Sequence, residues 1–244
     1  MTRLPFLLFA LAAVVAAGDA PKPIFDGRLT LAPGKLSAAE QKLFHQAVAP
    51  AARKAWRERE RDTLCEPGFP PAAIDIAAGA FTRAGAAQKA ILYRYCAIGH
   101  NLLLDGVAVI EGDRVAAHIL FEGGENTAIG ALADLNGNGV SELLIAAGAT
   151  DQGVTSAWMS IVELAPGGHV TKFGQTATLS DDCGAKETGC VATAWRIWAK
   201  AGARPAFFKD AFVTPGAGAR AWRKTGALSP IQLDEDAVEY EALP

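Results

Sequence analysis

The sequence predicts a mainly β protein: propeller-like or stacked β-sheet repeats, about three or four units, preceded by a short N-terminal helical segment. Three observations carry this. From Ile74 onward the apolar runs are short, rich in β-branched and aromatic residues, and punctuated by Gly, Pro and Asn. A helical pattern occurs only between Ser37 and Asp62. Two stretches also echo each other. Gly79-Ala80-Phe81-Thr82, Ile91-Leu92-Tyr93 and a turn at Gly112 match Ala131-Leu132-Ala133-Asp134, Leu143-Leu144-Ile145 and a turn at Gly167. A period of about 50 residues with about four strands suits a β array, because one small sheet cannot bury both faces alone.

The chain has 244 residues, half of them apolar in type, and a formal net charge of −3. It is long enough for a substantial core, and its low charge excludes a disordered chain or a generally basic nucleic-acid binder.

Residues 1–20 read as a signal peptide. Arg3 gives the positive start, Phe6 to Ala17 the apolar run, and small residues up to Ala20 the cleavage region. An uncleaved anchor is the competing reading, but the run is short for a membrane span, and no later stretch is long and apolar enough. Residues 21–36 are a Pro- and Gly-bearing lead, expected to be poorly ordered at its start. The helical segment covers 37–64. Ser37 and Glu40 have capping-box spacing, and Leu43, Phe44, Ala47 and Val48 share a face. Pro50 must interrupt or restart the helix. The stretch from Ala51 to Asp62 mixes Arg53, Lys54, Arg57, Arg59 and Arg61 with Glu58, Glu60 and Asp62, so it reads as a solvated face rather than a nucleic-acid surface. Trp56 is expected to pack it on the following domain.

The β-repeat domain covers 65–244. Its expected strands are Gln88 to Ile98, Val107 to Ile110, Val115 to Leu120, Glu142 to Ala147, Ala157 to Leu164, His169 to Phe173, Val191 to Ala199 and Phe207 to Val213, with a last contribution from Leu228 onward. Hairpins are expected at Glu111-Gly112-Asp113-Arg114 and at Pro166-Gly167-Gly168.

Cys65, Cys96, Cys183 and Cys190 make an even set, as expected of an exported protein. Three pairings are possible. Local closure favours Cys65–Cys96 and Cys183–Cys190, stabilising by about 3.7 and about 2.5 kcal/mol in the chain-entropy picture. A zinc site is the alternative, but no Cys-x-x-Cys pair or His at ligand spacing supports it.

The sharpest motif is Asp134-Leu135-Asn136-Gly137-Asn138-Gly139-Val140-Ser141-Glu142. Asp134, Asn136, Asn138 and Glu142 bring side-chain oxygens around one point, and the Val140 carbonyl offers another. Hard, oxygen-seeking calcium suits such a loop. An EF-hand is disfavoured because its twelfth position falls on Ile145 and an apolar strand follows. Without metal, Asp134 and the Asn-Gly pairs would form a hydrogen-bonded turn.

Ala133 to Gly139 with Glu142-Leu143 resembles the FG-GAP/VCBS repeat, the calcium-loop repeat of integrin-like β-propellers. Phe81-Thr82 with Ala90-Ile91-Leu92 looks like a second copy without ligands, since Thr82, Ala84, Ala86 and Ala90 stand where the oxygens would be. The resemblance implies a β-repeat fold and a calcium ion, not a reaction. Integrin-like propellers have seven blades, and this chain has room for three or four.

Catalytic signatures are absent from the sequence: no Gly-x-Ser-x-Gly, no His-Glu-x-x-His, and Gly216-Ala217-Gly218 lacks phosphate-loop spacing. His45, His100, His118 and His169 are scattered, and Asp181-Asp182 beside Cys183 reads as a polar loop closed by a disulfide. The expectation is an exported, disulfide-stabilised, calcium-binding, non-enzymatic module. Its partner would be a protein or glycan, met through aromatics such as Trp158, Trp195, Trp198 or Trp222. The alternatives are a secreted hydrolase whose catalytic groups converge only in the fold, and a purely structural envelope component.

Overall fold

A computed structural model describes residues 20–29, 34–58, 65, 70–98, 102–186, 188–215 and 221–243. The signal segment apart from Ala20, the helical residues after Glu58 up to 64, His100 with Asn101, and Gly216-Ala217-Gly218 lie outside the described residues.

The first strand, β1 (Lys22–Asp26), pairs antiparallel with a strand near the other end of the chain. This corrects the expectation of a poorly ordered start to the lead. The backbone groups of that short segment find partners 170 to 177 residues away, which no local pattern announces. The helical segment follows. The Ser37 amide donates to Glu40 Oε2 at 2.7 Å and the Glu40 amide to Ser37 Oγ at 3.3 Å, so the capping box forms. Helix α1 (Ala38–Leu43) passes through a π turn, Phe44–Val48, into α2 (Ala49–Glu58). Pro50 cannot donate to the preceding turn. The widened turn absorbs the missing bond, and the helix restarts with Pro50 in its first turn.

Twelve further strands follow: β2 (Ala72–Gly79), β3 (Gln88–Ala97), β4 (Leu103–Glu111), β5 (Arg114–Gly123), β6 (Glu125–Ala131), β7 (Leu143–Asp151), β8 (Val154–Leu164), β9 (Val170–Asp181), β10 (Val191–Lys200), β11 (Ala206–Pro215), β12 (Arg223–Ile231) and β13 (Glu241–Ala242). One sheet has the order β13-β5-β4-β3-β2; the other runs β12-β11-β10-β9-β8-β7-β6, with β1 on β10. Apart from β1 and β13 each is an antiparallel meander in chain order. Both hairpins form as expected, with positive φ at Gly112 and Gly167. Strand β6 had not been expected: Glu125-Asn126-Thr127 at its start is polar, and Gly130 interrupts its apolar run. Among the described residues the strands form no closed propeller.

Side-chain alternation shows how the sheets stack. In β3, Ile91, Tyr93 and Tyr95 face Phe44, Val48, Ala52 and Trp56 of the helical segment, while Ala90 and Leu92 face the other way. That second side meets Leu143 and Ile145 of β7 and Val162 and Leu164 of β8. The opposite residues of those strands, Leu144, Ala146, Met159 and Ile161, pack on Ile197, Ala199 and Phe207 of β10 and β11. The order is therefore helix, first sheet, β6–β9, then the β10–β11 part with β1. Each large apolar side chain buried here contributes about 1.5–3 kcal/mol.

Polar groups stitch the layers together. The buried Asp75 carboxylate on β2 accepts the Gly34 amide at 2.5 Å and the Ile129 amide of β6 at 2.9 Å. Deeper, Tyr93 Oη and His118 Nε2 lie 2.6 Å apart with both side chains buried. Burial pulls His118 down to about 4 and pushes Tyr93 up, so the pair is neutral.

Tyr93→Phe leaves the buried ring nitrogen of His118 without its partner and should cost about 1–3 kcal/mol in urea denaturation. A change close to zero would show that the pair contributes packing only.

Candidate metal centre

The turn between β6 and β7 spans residues 132–142. The Leu132 amide donates to the Glu142 carbonyl at 2.8 Å, closing its base. Leu135 is buried in the core between β7–β8 and β10–β11 and anchors the middle of the turn. Gly137 and Gly139 have φ of 83° and 84°, the left-handed region that glycine reaches freely. A Cβ on Gly139 would also come within 2.7 Å of Ala84 Cβ, so this turn leans on the corresponding turn of the first sheet.

The turn gathers its oxygens inward. Asp134 Oδ1 accepts the Gly137 and Asn138 amides at 2.6 and 3.1 Å, and its Oδ2 accepts the Gly139 amide at 2.6 Å. Asn136 Oδ1 accepts the Asn138 amide at 3.1 Å, and Asn138 Oδ1 accepts the Val140 amide at 2.8 Å. Val140 thus takes part through its N–H. Glu142 is fully buried, and both of its carboxylate oxygens accept the Leu135 amide, at 3.1 and 2.9 Å.

Sequence reasoning missed Glu163. This β8 residue accepts Asn136 Nδ2 at 2.7 Å and Asn138 Nδ2 at 2.8 Å through one oxygen, Oε2. The signal was present: Glu163 is the one ionisable residue between Val154 and Leu164. It stands across from Glu142, one step beyond the Leu143–Val162 pair of the β7–β8 ladder.

Three carboxylates, those of Asp134, Glu142 and Glu163, therefore lie near one end of the middle layer, close enough for the charges of Asp134 and Glu163 to act on Glu142. Burial first, then the charges of Glu163 and Asp134, push Glu142 up to about 7 against the opposing effect of the Leu135 amide. No Lys or Arg among the described residues pairs with Asp134, Glu142 or Glu163. The donor set, carboxylate and amide oxygens around a glycine turn, fits a hard divalent cation in kind. In spacing it is wider: the one acidic or sulfur trio among the described residues with ligand atoms within 4.8 Å is Asp182, Cys183 and Cys190. That trio offers no cation site, because both sulfurs are joined in a disulfide.

The first sheet holds the corresponding turn, and its chemistry differs. The Thr82 amide donates to Gln88 Oε1 at 2.9 Å, and Gln88 Nε2 donates to Thr82 Oγ1 at 2.7 Å. Gln88, not Ala90, thus occupies the place of Glu142. The turn is shorter than its counterpart, so alignment by a constant offset misplaces that residue.

Both disulfides form as expected, Cys65–Cys96 and Cys183–Cys190, with Cα separations of 5.5 and 4.8 Å. Beside the second, Asp181 accepts the Cys183 amide, and Asp182 accepts the Val191 amide and pairs with Lys186. Those acids hold a turn. His118 faces Tyr93. Trp158, Trp195, Trp198 and Trp222 are all half-buried rather than an open aromatic platform. Trp195 packs against the core, and Trp198 Nε1 donates to Asp210 at 3.0 Å.

Without a cation, Glu142 should give the protein a distinctive pH dependence. Its ordinary value is 4.5 and its folded value about 7, so over that range the folded state holds a proton the unfolded chain releases. The associated stability is complete below pH 4.5 and is lost as pH rises through about 7. Denaturation in chelator between about pH 5 and about pH 8 should show wild type losing ground to Glu142→Gln. Parallel curves would mean that the ionisation of Glu142 does not couple to folding. Comparison of the chain with models of protein families, with curated proteins and with solved structures finds no match.

Proposed function

We propose that this is an exported, disulfide-stabilised β-repeat protein of the FG-GAP/VCBS type. In this reading it binds calcium in the 132–142 turn and acts as a non-enzymatic binding or structural module toward a protein or glycan partner. The carrying observation is the uncompensated charge: Asp134 and Glu163 act on Glu142, Glu142 is fully buried, and no basic side chain among the described residues pairs with any of the three. A buried carboxylate without a counter-charge is costly. Two disulfides support an oxidising compartment, where extracellular modules use calcium sites with Kd of about 10⁻⁴–10⁻³ M. No described helix is long and apolar enough to cross a membrane.

Asp134, Asn136, Asn138, Glu142 and the Val140 carbonyl would hold the ion. Bound calcium supplies the positive charge that this end of the middle layer lacks. The chain's own contribution is rigidity. Leu135 fixes the turn to the core, the two glycines bend it, and Asp134 gathers three backbone amides so that its carboxylate stays in place. The turn joins β6 to β7, and the Ser141 amide donates to the Ala80 carbonyl of the first sheet at 2.8 Å. A firmer turn therefore stiffens the junction of the two sheets.

Thermal melts in millimolar calcium and in chelator test this. With calcium about tenfold above Kd, wild type should melt about 3–6 °C higher than in chelator. Asp134→Ala should lose most of that difference. Equal melting of wild type in both conditions would reduce the turn to its hydrogen bonds and remove the calcium reading.

A further inference from the structure

We infer that the outer face of β10–β12 is a docking surface for an acidic polysaccharide, met by a row of cations made of Arg28, Arg196 and Lys224. The inference deepens the reading of a module with a glycan partner and rests on that part of it; it does not depend on calcium. Its ground is a segregation of charge. Residues 191–231 contain seven Lys or Arg and one acidic residue, Asp210, in a chain whose totals are 23 and 26. The segment that follows, 232–243, holds five acidic residues and no basic one. A chain acidic as a whole thus carries one strongly basic layer.

Register puts the cations on one face. Arg196 of β10 lies opposite Asp210 of β11, and Phe212 of β11 lies opposite Lys224 of β12. Alternation along β10 adds Trp198 and Lys200 to that face. Arg28, just past the end of β1, reaches the same place. Its guanidinium carbon stands 3.7 Å from the centre of the Phe212 ring, and that of Arg196 stands 5.2 Å from it. The row crosses four adjacent strands, about 14 Å at the usual strand spacing. That span suits an extended polymer better than a small ion. The carboxylates lie beneath the cations. Asp210 is fully buried and accepts Arg196 Nε at 3.2 Å, Arg196 Nη2 at 2.7 Å and Lys224 Nζ at 3.0 Å, while Lys224 itself stays half-exposed. Asp26 pairs with Arg28 at 2.5 Å. Three cations share two carboxylates, so the cluster keeps one positive charge. Each guanidinium spends one edge on its carboxylate and retains N–H donors on the other, and this fork matches the paired oxygens of carboxylate and sulfate. Stacking on Phe212 holds both groups in place before any ligand arrives, which lowers the cost of ordering them.

The surroundings select the polymer. Single-stranded nucleic acid is held on open aromatic rings where bases stack. Here Trp198 and Phe208 are half-buried, and Phe212 is buried beneath guanidinium groups. The disulfides belong with an oxidising compartment, where acidic polysaccharides rather than nucleic acids are the abundant polyanions. The competing account of the same charges is edge protection. Strand β12 is exposed from Arg223 to Pro230, and lysine on an edge discourages pairing with other chains. That account covers Lys224 but not Arg196, whose strand has neighbours on both sides.

Calorimetric titration of the full chain with heparin, a polysaccharide bearing sulfate and carboxylate, tests this. Binding should weaken about twentyfold between about 50 and about 200 mM salt, as expected when about three cations displace the counter-ions of a polyanion. Neutral dextran should not bind. Lys200→Gln combined with Lys224→Gln should weaken heparin binding about tenfold. Lys42→Gln combined with Lys54→Gln, at exposed positions on the helical segment, should leave it within about twofold. Both pairs remove the same charge, so the contrast reads position rather than net charge. Asp210 keeps Arg196 when Lys224 is replaced. Should the first pair nevertheless melt early, Lys200→Gln alone repeats the test, with a loss of about threefold expected. Equal losses from the two pairs, or equal or tighter binding of a single-stranded oligonucleotide of the same charge, would overturn the polysaccharide surface. Absence of heparin binding at low salt would overturn it too, leaving the module with a protein or neutral glycan partner. Heparin binding that persists in chelator, in a protein whose melting ignores calcium, would remove the calcium reading and leave this surface standing.

Discussion

Strand β7 sends Leu143 and Ile145 to one side and Leu144 and Ala146 to the other, and neither side can be left in water. This constraint governs the molecule. A sheet apolar on one face needs one cover, whereas β7 and β8 need two. The first sheet supplies one cover, and the folding-back of the same ladder through β10 and β11 supplies the other. The first sheet is itself apolar on both faces, so the stack would end on an exposed surface were it not for the helical segment laid over Tyr93 and Leu104. The short helix therefore serves the sheets as a lid, and its amphipathic face follows from that task.

Stacking two-sided sheets concentrates polar chemistry at the ends of strands, where turns can hold it. Both β2–β3 and β6–β7 turns fold back over a buried residue that closes them. In one the closing group is an amide, which both accepts and donates, and Thr82 and Gln88 satisfy each other without charge. In the other it is the carboxylate of Glu142, which can only accept. A difference in donor capacity thus separates a turn closed between neutral groups from one closed on a carboxylate.

Much of this was legible from residue order. The positions of β3 to β5 and of β7 to β11 followed from β-branched and aromatic runs, and the Ser37–Glu40 cap from its spacing. The hairpin at Gly112 and the local disulfides also followed from residues close together in sequence. The misses share a cause. Strand β1 is defined by Phe25 lying against Ile197, strand β6 by Asp75 reaching the Ile129 amide, and the site by Glu163 reaching across to Asn136 and Asn138. Each depends on a partner distant in sequence, and periodicity reports only on neighbours. The equivalence of Gln88 with Glu142 was hidden because the two turns differ in length, and register, not residue count, relates them.

The pairing of β1 with β10 also dictates an order of events. Synthesis releases Lys22–Asp26 long before Val191–Lys200, so the earliest strand of the described fold waits for a much later one before its backbone is satisfied. The helix and first sheet can assemble from near neighbours. The outermost layer cannot close until most of the chain is available, a pairing of high contact order that belongs to the slow part of folding. A chain released gradually would thus spend its passage with one finished end and one open end, and the first strand would be the latch.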